Sequence, residues 1–430
     1  MKVEQRSAST GLAFACVTTL FFAWGFITSL IDPLVAAVKG IFSLSDVEAQ
    51  LSASAFFIAY GVMSLPAAVL LARRRSVATV LIALALMIAG CMLMLLATNL
   101  AIYGLVLVGL FVLASGITIL QVAANPLAAV LGRPDRSHLR LTLSQAFNSL
   151  GTFIGPFLGA SLFLKGVEIR QGEQLNDAVR ASALAGIDSA FLAIAVLIAL
   201  LALFIWFARR LIGAAAPAAP EQASSSGIAA MLAEAISSRW ALLGGAAIFL
   251  YVGAEVAIGT QMALFLHSDT VLGVPLEQAG KMVSLYWGGA MVGRLIGSAL
   301  LARVRASALL ATFAAIACAI CLFVFLIGGA AGGYAALTIG LFNSIMFPVI
   351  FTLTLERSSA SEAATSGFLC FSIVGGAAIP LLVGLVSGAT SYATAFAVPA
   401  ACYLLLLGFA LAAGRVAAIR TEDFAPHAAH

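Results

Sequence analysis

Three charged side chains interrupt long apolar stretches of this 430-residue chain, and each could act on a proton or on another charge. Asp32 lies in WGFITSLIDPLV, Glu255 in FLYVGAEVAIGTQ and Arg294 in MVGRLIG. An ionisable group in hydrocarbon is energetically expensive, so such groups mark ion pathways or buried pairs. Because apolar surroundings disfavour the charged form, a buried carboxylate can take a proton from one side and release it to the other. Asp32 and Glu255 are therefore candidate ion-coupling residues.

The same residues have structural alternatives. Asp32 could hold helices together through hydrogen bonds, and Glu255 could form an ion pair with Arg294. We expect Arg294 to gate or to pair inside a helical bundle rather than to contact a substrate. Pro33, directly after Asp32, lacks an amide proton and predicts a local helix break that frees backbone carbonyls.

Neutral amides form a second polar pattern. Gln121 and Asn125 are four residues apart in ASGITILQVAANP, and Gln145 and Asn148 are three apart in LTLSQAFNSLGTFIGP. Residues with these spacings share one face of a helix. Amides both donate and accept hydrogen bonds, which suits the hydroxyls of a neutral sugar. All four are candidate substrate-binding residues, and hydrogen bonding between helices is the alternative.

Aromatic rings at similar levels could pack on the apolar face of a sugar ring. Trp24, Phe147 and Trp287 are the candidates, and ordinary helix packing is the alternative for each. No cluster of basic residues lines the apolar stretches, which argues against phosphorylated or anionic substrates.

The elements that position these residues are predicted to be membrane-spanning helices. The chain is 63% hydrophobic and 9% charged, whereas a soluble domain carries roughly 25% charged residues. This composition excludes a soluble enzyme, a disordered protein and a nucleic-acid binder.

A membrane-spanning helix needs about 20 apolar residues. The predicted spans are 11–38, 47–72, 76–97, 101–131, 140–164, 187–210, 240–267, 278–302, 307–328, 332–355, 363–388 and 392–414.

Lys and Arg residues are distributed unequally between the two sides of these spans. With both termini in the cytoplasm, the inner segments hold 16 of them and the outer segments five, as the positive-inside rule expects. The Ala/Pro/Ser-rich segment 211–238 is predicted to be a cytoplasmic linker that ends in a short helix on the inner surface. It separates an N-terminal half, 1–210, from a C-terminal half, 239–417, with a cytoplasmic tail at 418–430.

The two halves resemble each other. FFIAYGVMSLPAAVLLARRR (56–75) matches YWGGAMVGRLIGSALLARVR (286–305) at a constant offset. Phe147, Gly151 and Pro156 recur at another constant offset as Phe371, Gly375 and Pro380. The sequence therefore predicts an all-α membrane protein of twelve helices in two pseudo-symmetric six-helix halves, with a substrate site between them.

The stretches ASGITILQVAANPLAAVLG and RLTLSQAFNSLGTFIGP, with FFAWGFITSLIDPL and YVGAEVAIG, resemble the fucose–galactose–glucose proton symporter family. This is a branch of the major facilitator superfamily, and the resemblance covers nearly the whole chain. It implies proton-coupled uptake of neutral hexoses across the bacterial inner membrane. It also assigns coupling to Asp32 and polar substrate positions to Gln145 and Asn148. Gln121 stands where the L-fucose permeases have a glutamate, and this matches the glucose/galactose branch instead.

Our leading hypothesis is therefore import of glucose or galactose by alternating access, in a monomer within the lipid bilayer. The coupling cation is expected to be a proton, carried by Asp32 or Glu255, with sodium as the alternative. N-acetylglucosamine and L-fucose remain alternative substrates, and drug or metabolite efflux is an alternative function. An enzyme is not expected, because the sequence lacks GxSxG and HExxH motifs and the four histidines are predicted in loops or the tail. We expect no cofactor and no metal, since all six cysteines lie in apolar segments.

Overall fold

The computed structural model describes residues 2–74, 76–131, 137–165, 167, 176–215, 228–301 and 303–419, and every regular element within them is a helix. Twelve helical segments, called spans 1 to 12, follow the predicted positions. They are Lys2–Ser29 with Ile31–Ile41, Asp46–Arg73, Ser76–Asn99, Tyr103–Val130, Ser137–Phe163, Asp177–Ala215, Arg239–His267, Leu276–Leu301, Ala306–Ile327, Gly329–Asn343 with Met346–Arg357, Glu362–Phe371 with Ser372–Val374 and Gly375–Ala389, and Tyr392–Ala395 with Ala397–Arg415. The prediction of a twelve-helix membrane protein is confirmed.

Eleven of these segments are long and apolar enough to cross a membrane. Span 8, Leu276–Leu301, is as long as its neighbours, but Glu277, Lys281 and Arg294 reduce its apolar character. It packs against spans 5, 7 and 10, so it is the twelfth member of the bundle. An internal helix of this kind tolerates charge because protein, rather than lipid, surrounds its polar face.

Four spans are interrupted within the bundle. Span 1 breaks at Leu30, three residues before Pro33, as the sequence predicts. Span 10 breaks between Asn343 and Met346, and the carbonyls freed there accept hydrogen bonds from side chains. Spans 11 and 12 change pitch at Ser372–Val374 and at Phe396. Such breaks occur only where other protein groups satisfy the backbone.

The internal repeat is visible in helix packing. Gly151 on span 5 lies against the backbone of Phe22 and Phe26 on span 1, and Gly375 on span 11 lies against the backbone of Phe249 on span 7. A Cβ at either glycine would collide with a carbonyl group, so only glycine allows these helix pairs to approach so closely. Spans 1 and 5 thus pack as spans 7 and 11 do.

The segment between the halves ends in a helix, Ile228–Ser237, as expected. Glu234 accepts hydrogen bonds from the backbone amide and the hydroxyl of Ser361, at 2.6 and 3.0 Å, at the start of span 11. Residues 216–227 of the predicted linker and 420–430 of the predicted tail lie outside the described residues. His138, expected in a loop, lies in the first turn of span 5, because that helix begins at Ser137.

Among the described residues, spans 1–6 (the N-half) meet spans 7–12 (the C-half) most extensively at three helix pairs: spans 1 and 7, spans 2 and 11, and spans 5 and 8. Spans 1 and 8 and spans 2 and 7 also touch. These contacts determine which side chains of one half can reach the other.

Candidate functional site

The carboxylate of Asp32 lies at the interface of the two halves. Its Oδ2 accepts a hydrogen bond of 2.6 Å from Nε1 of Trp287 on span 8. A Cβ on Gly259 of span 7 would lie only 3.1 Å from Asp32 Oδ1, so the absence of a side chain there makes room for the carboxylate. Asp32 is 2% exposed. A group on span 1 is thereby held by two helices of the opposite half.

Glu255 lies in a hydrogen-bond network within the C-half. The Tyr251 hydroxyl is 2.7 Å from Glu255 Oε1 and 3.1 Å from the Asn343 carbonyl, and it donates towards both. The Tyr286 hydroxyl donates to the Glu255 carbonyl at 3.1 Å. The side chain of Asn343 joins the other two phenols. Its Nδ2 donates to the Tyr286 hydroxyl, and its Oδ1 accepts from the Tyr403 hydroxyl, each at 2.7 Å. Glu255 is therefore a fixed carboxylate among three phenols.

Arg294 also connects the halves. Its Nη1 donates to Ser149 Oγ on span 5 at 2.5 Å, and its Nε donates to the Ser344 carbonyl at the break in span 10 at 3.3 Å. Arg294 is near enough to Glu255 to interact electrostatically, but its hydrogen bonds go to these neutral groups. Arg294 therefore connects span 8 to spans 5 and 10 through a hydroxyl and a carbonyl.

The first amide pair lies on span 4. Gln121 Nε2 donates to the hydroxyl of Tyr60 on span 2 at 2.9 Å. Oδ1 of Asn125, one turn along the same face, is buried and has no hydrogen-bond partner. The oxygen of Thr28 on span 1 lies beside the Tyr60 hydroxyl, but without the geometry of a hydrogen bond. This group of polar atoms belongs to three helices of the N-half.

The second amide pair has a different partner. Nδ2 of Asn148 donates to the Phe21 carbonyl on span 1 at 3.2 Å, and Gln145 is half-buried one turn away. Among the described residues, no hydrogen bond joins this pair to Gln121 or Asn125. Asn148 thus contributes to packing between spans 1 and 5 at the level where Gly151 permits their close approach.

A row of polar contacts between the halves begins at one end of the bundle. Asp46 at the start of span 2 accepts hydrogen bonds from Lys39, Ser387 and Tyr392, the last two at 3.0 Å. We call these four residues the Asp46 cluster. Further in, Thr260 donates to Gln50 at 3.0 Å, and Ser54 donates to the Ala377 carbonyl at 2.6 Å.

The Asp32–Trp287 and Arg294–Ser149 bonds continue this row towards the middle of the bundle. In the part of the chain that the structure describes, no hydrogen bond joins the halves between the level of Arg294 and the opposite end. Among the described residues, the hydrogen bonds between the halves therefore lie on the Asp46 side and in the middle of the bundle.

No group of three or more His, Cys, Asp or Glu side chains that could hold a metal ion occurs among the described residues. The six cysteines are free thiols. The polar groups described here are hydrogen-bonding side chains and two carboxylates, Asp32 and Glu255.

Residues 13–369 match the Major Facilitator Superfamily. The chain belongs to this superfamily. It is 38% identical over 401 residues to the glucose/galactose transporter of Brucella abortus biovar 1 (strain 9-941), covering 93% of this chain and 94% of the relative. It is 32% identical over 417 residues to the L-fucose-proton symporter of Escherichia coli (strain K12), covering 94% of each. The crystal structure of the superfamily transporter FucP in the outward conformation matches with a TM-score of 0.70 and 29% identity, covering 95% of this chain and 100% of that one.

The aromatic candidates of this superfamily member lie in different places. Trp24 is buried against Phe21, with ring centroids 4.2 Å apart. Phe147 is 43% exposed and, with Leu143 and Leu150, lines a groove of about 640 Å³ between spans 1 and 5. It faces away from Asn148, since helical residues one position apart point in different directions. Trp287 contacts Asp32, the candidate ion-coupling residue.

Sequence reasoning missed four members of this arrangement: Tyr60, Tyr286, Asn343 and Tyr403. Asn343 is fully buried in span 10, and a mid-span asparagine is a signal of the same kind as Gln121. The tyrosines gave no comparable signal, because phenols are common in helix packing and at membrane interfaces.

Proposed function

We propose that this chain imports a neutral hexose of the glucose or galactose type together with a proton, by alternating access. The named relatives are a glucose/galactose transporter and an L-fucose-proton symporter. The hydrogen bond from Trp287 to Asp32 carries the proposal, because it ties the protonation of one carboxylate to the relative position of the halves.

This hydrogen bond couples protonation to conformation. A hydrogen bond from an N–H group to a carboxylate is roughly twice as strong as one to the neutral acid. The bond from Trp287 exists only while the halves are in contact at this level, so protonation of Asp32 weakens that contact and separation of the halves removes the bond. A carrier built in this way exchanges the proton of Asp32 in step with the opening and closing of the Asp46 side.

The orientation rests on the distribution of positive charge. With both termini cytoplasmic, in the inner membrane of a bacterium, the Asp46 cluster lies on the outer side and the helix Ile228–Ser237 on the inner side. The conformation described here is then closed towards the outside. Proton release in this state is release into the cell, which is the direction that import requires.

The halves are 1–210 and 239–417, joined by the linker 211–238 and followed by the tail 418–430. Glu255 is the second ion-coupling candidate, since it is a half-buried carboxylate with electrostatic influence on Asp32. Arg294 acts as a structural charge between the halves. The sugar is bound by Gln121, Asn125, Gln145 and Asn148, with Trp24, Phe147 and Trp287 as the aromatic candidates.

Uptake into proteoliposomes tests the proposal. Purified protein is reconstituted, an inward proton gradient is imposed, and labelled D-glucose is followed. We expect accumulation above equilibrium that collapses with a protonophore. No proton-driven accumulation of glucose or galactose would overturn the proposal, and a sodium gradient or N-acetylglucosamine would then identify the alternative ion or sugar.

A further inference from the structure

Partnerless polar atoms gather around one hydrogen bond in the N-half. Six buried side-chain polar atoms have no hydrogen-bond partner among the described residues, and three of them belong to Thr28, Ser64 and Asn125. Thr28 lies beside Tyr60, Ser64 is one turn from Tyr60 on span 2, and Asn125 is one turn from Gln121 on span 4. Buried polar atoms are normally satisfied, so such a concentration requires an explanation.

The Tyr60–Gln121 bond determines what the tyrosine can offer. The amide nitrogen of Gln121 has no acceptor capacity, so it donates and the Tyr60 oxygen accepts, at 2.9 Å. The phenolic proton of Tyr60 is therefore not used in this bond. It remains available to another oxygen close to Thr28 and Asn125.

We infer that Tyr60 is a specificity-determining residue that donates its phenolic proton to a hydroxyl of the transported sugar, with Thr28 and Asn125 as its partners in the same subsite. This inference rests on the proposed sugar transport. A sugar hydroxyl both donates and accepts hydrogen bonds. The phenolic proton supplies the donor, the Asn125 carbonyl oxygen supplies an acceptor, and the Thr28 hydroxyl can do either.

The position of the subsite suits this role. Gln121, Asn125 and Thr28 are half-buried, and Thr28 precedes Asp32 by four residues on span 1. Sugar bound at Tyr60 would therefore contact the same helix that presents Asp32 to Trp287. A sugar hydroxyl would pair with the Thr28 and Asn125 oxygens, so hydrogen bonds in this subsite would stabilise the loaded state.

The test compares Tyr60→Phe with wild type in equilibrium exchange, which needs no proton gradient. Labelled D-glucose and a series of its monodeoxy analogues are exchanged across proteoliposomes. We expect Tyr60→Phe to raise the KM for D-glucose about tenfold, the loss of one hydrogen bond to a ligand. One analogue in the series lacks the hydroxyl that Tyr60 contacts. For this analogue, wild type and Tyr60→Phe should have the same KM, because the hydrogen bond is missing in both.

Tyr103→Phe is the matched control. The Tyr103 hydroxyl also joins spans 2 and 4, through a 2.9 Å hydrogen bond to Ser52, but it lies at the Asp46 end of the bundle. We expect the KM values of Tyr103→Phe to stay within about twofold of wild type. If Tyr60→Phe does not assemble, Thr28→Val is the deciding variant, because it removes the Thr28 hydroxyl and keeps a β-branched side chain of similar size. It should raise the KM severalfold.

Two results would overturn this inference and leave the proposed function standing. The first is an unchanged KM for D-glucose in both Tyr60→Phe and Thr28→Val. The second is an equal rise in KM for D-glucose and for every analogue, because that indicates a structural effect. A wild-type protein that exchanges no hexose would overturn the proposed function as well. The two failures are therefore distinguishable.

Discussion

The indole nitrogen of Trp287 lies 2.6 Å from Oδ2 of Asp32, and this hydrogen bond joins the two halves of the transporter at a buried carboxylate. Any rearrangement that opens the bundle on the Asp46 side must break it. In the proposed transport cycle, protonation and conformation are coupled through this donor and acceptor, because the strength of the bond depends on the charge of the acceptor.

Asp32→Asn should abolish gradient-driven accumulation of sugar while exchange continues. The amide is close in shape to the carboxyl group, but it carries no exchangeable charge. Both rates are measured in the same proteoliposomes. Asp188→Asn is the control, since Asp188 holds Thr98 and Asn99 within the N-half and makes no contact with the C-half. Loss of exchange in Asp32→Asn would point to a structural or binding role instead.

Trp287→Phe should slow net uptake severalfold and affect exchange much less. The ring still packs on Tyr286, whose centroid is 5.1 Å away, but the donor to Asp32 is gone. Without this donor, protonation of Asp32 no longer changes the strength of a contact between the halves. Trp206→Phe, at a 49% exposed position, should leave both rates unchanged. Equal slowing of uptake and exchange in Trp287→Phe would show that the indole acts in sugar binding.

Asp46→Asn should shift the transporter towards the conformation that is open on the Asp46 side. The change weakens the charged bond to Lys39 and the hydrogen bonds from Ser387 and Tyr392. A roughly fivefold shift is expected, or about 1 kcal/mol for a partly exposed pair. Ala377→Cys, at a position that is 7% exposed and whose carbonyl accepts a hydrogen bond from Ser54 on span 2, reports the opening by reaction with an impermeant maleimide.

Glu277→Gln is the control for that experiment. Glu277 pairs with Lys281 at 2.6 Å within span 8, so the bond that is lost lies within the C-half. Faster labelling at position 377 in Asp46→Asn but not in Glu277→Gln is the expected result. Equal labelling in both would mean that the Asp46 cluster does not hold the closed state.

Gly375→Ala should lower the thermal stability of the protein in detergent by several degrees. The added methyl group would fall on the Phe249 carbonyl, and backbone at a helix contact cannot move without separating spans 7 and 11. Overpacking of this kind costs about 1–3 kcal/mol. Gly408→Ala is the control, since a Cβ there meets nothing within 4 Å. An unchanged Tm for Gly375→Ala would show that this helix contact adapts.

The number and course of the spans could be predicted because each depends on local composition. A stretch of apolar residues must form a helix in hydrocarbon, where its backbone can satisfy itself only internally. The break in span 1 was predictable for the same reason, since Pro33 removes a hydrogen bond that no distant contact restores. The start of span 6 was placed about ten residues late, because Asp177 and Arg180 made its first turns look like a loop.

The candidate site was only partly predictable. Asp32, Glu255 and Gln121 could be singled out because a polar residue in an apolar segment is conspicuous by itself. Their partners could not, because Trp287 is 255 residues from Asp32 and Tyr60 is 61 from Gln121. Asn148 shows the limit of the pattern, since an amide that suits a sugar is equally able to bind the carbonyl of Phe21.

The sequence by itself therefore determined that this protein is a bundle of twelve helices, and which of its polar residues are costly to bury. Hydropathy and the cost of burying charge act on each segment separately, so they can be evaluated without knowledge of the neighbours. Only the tertiary structure decided that Asp32 bonds to Trp287 and that Gln121 orients Tyr60. Hydrogen bonds require contact within about 3 Å, and only helix packing brings residues so distant in the chain to that separation.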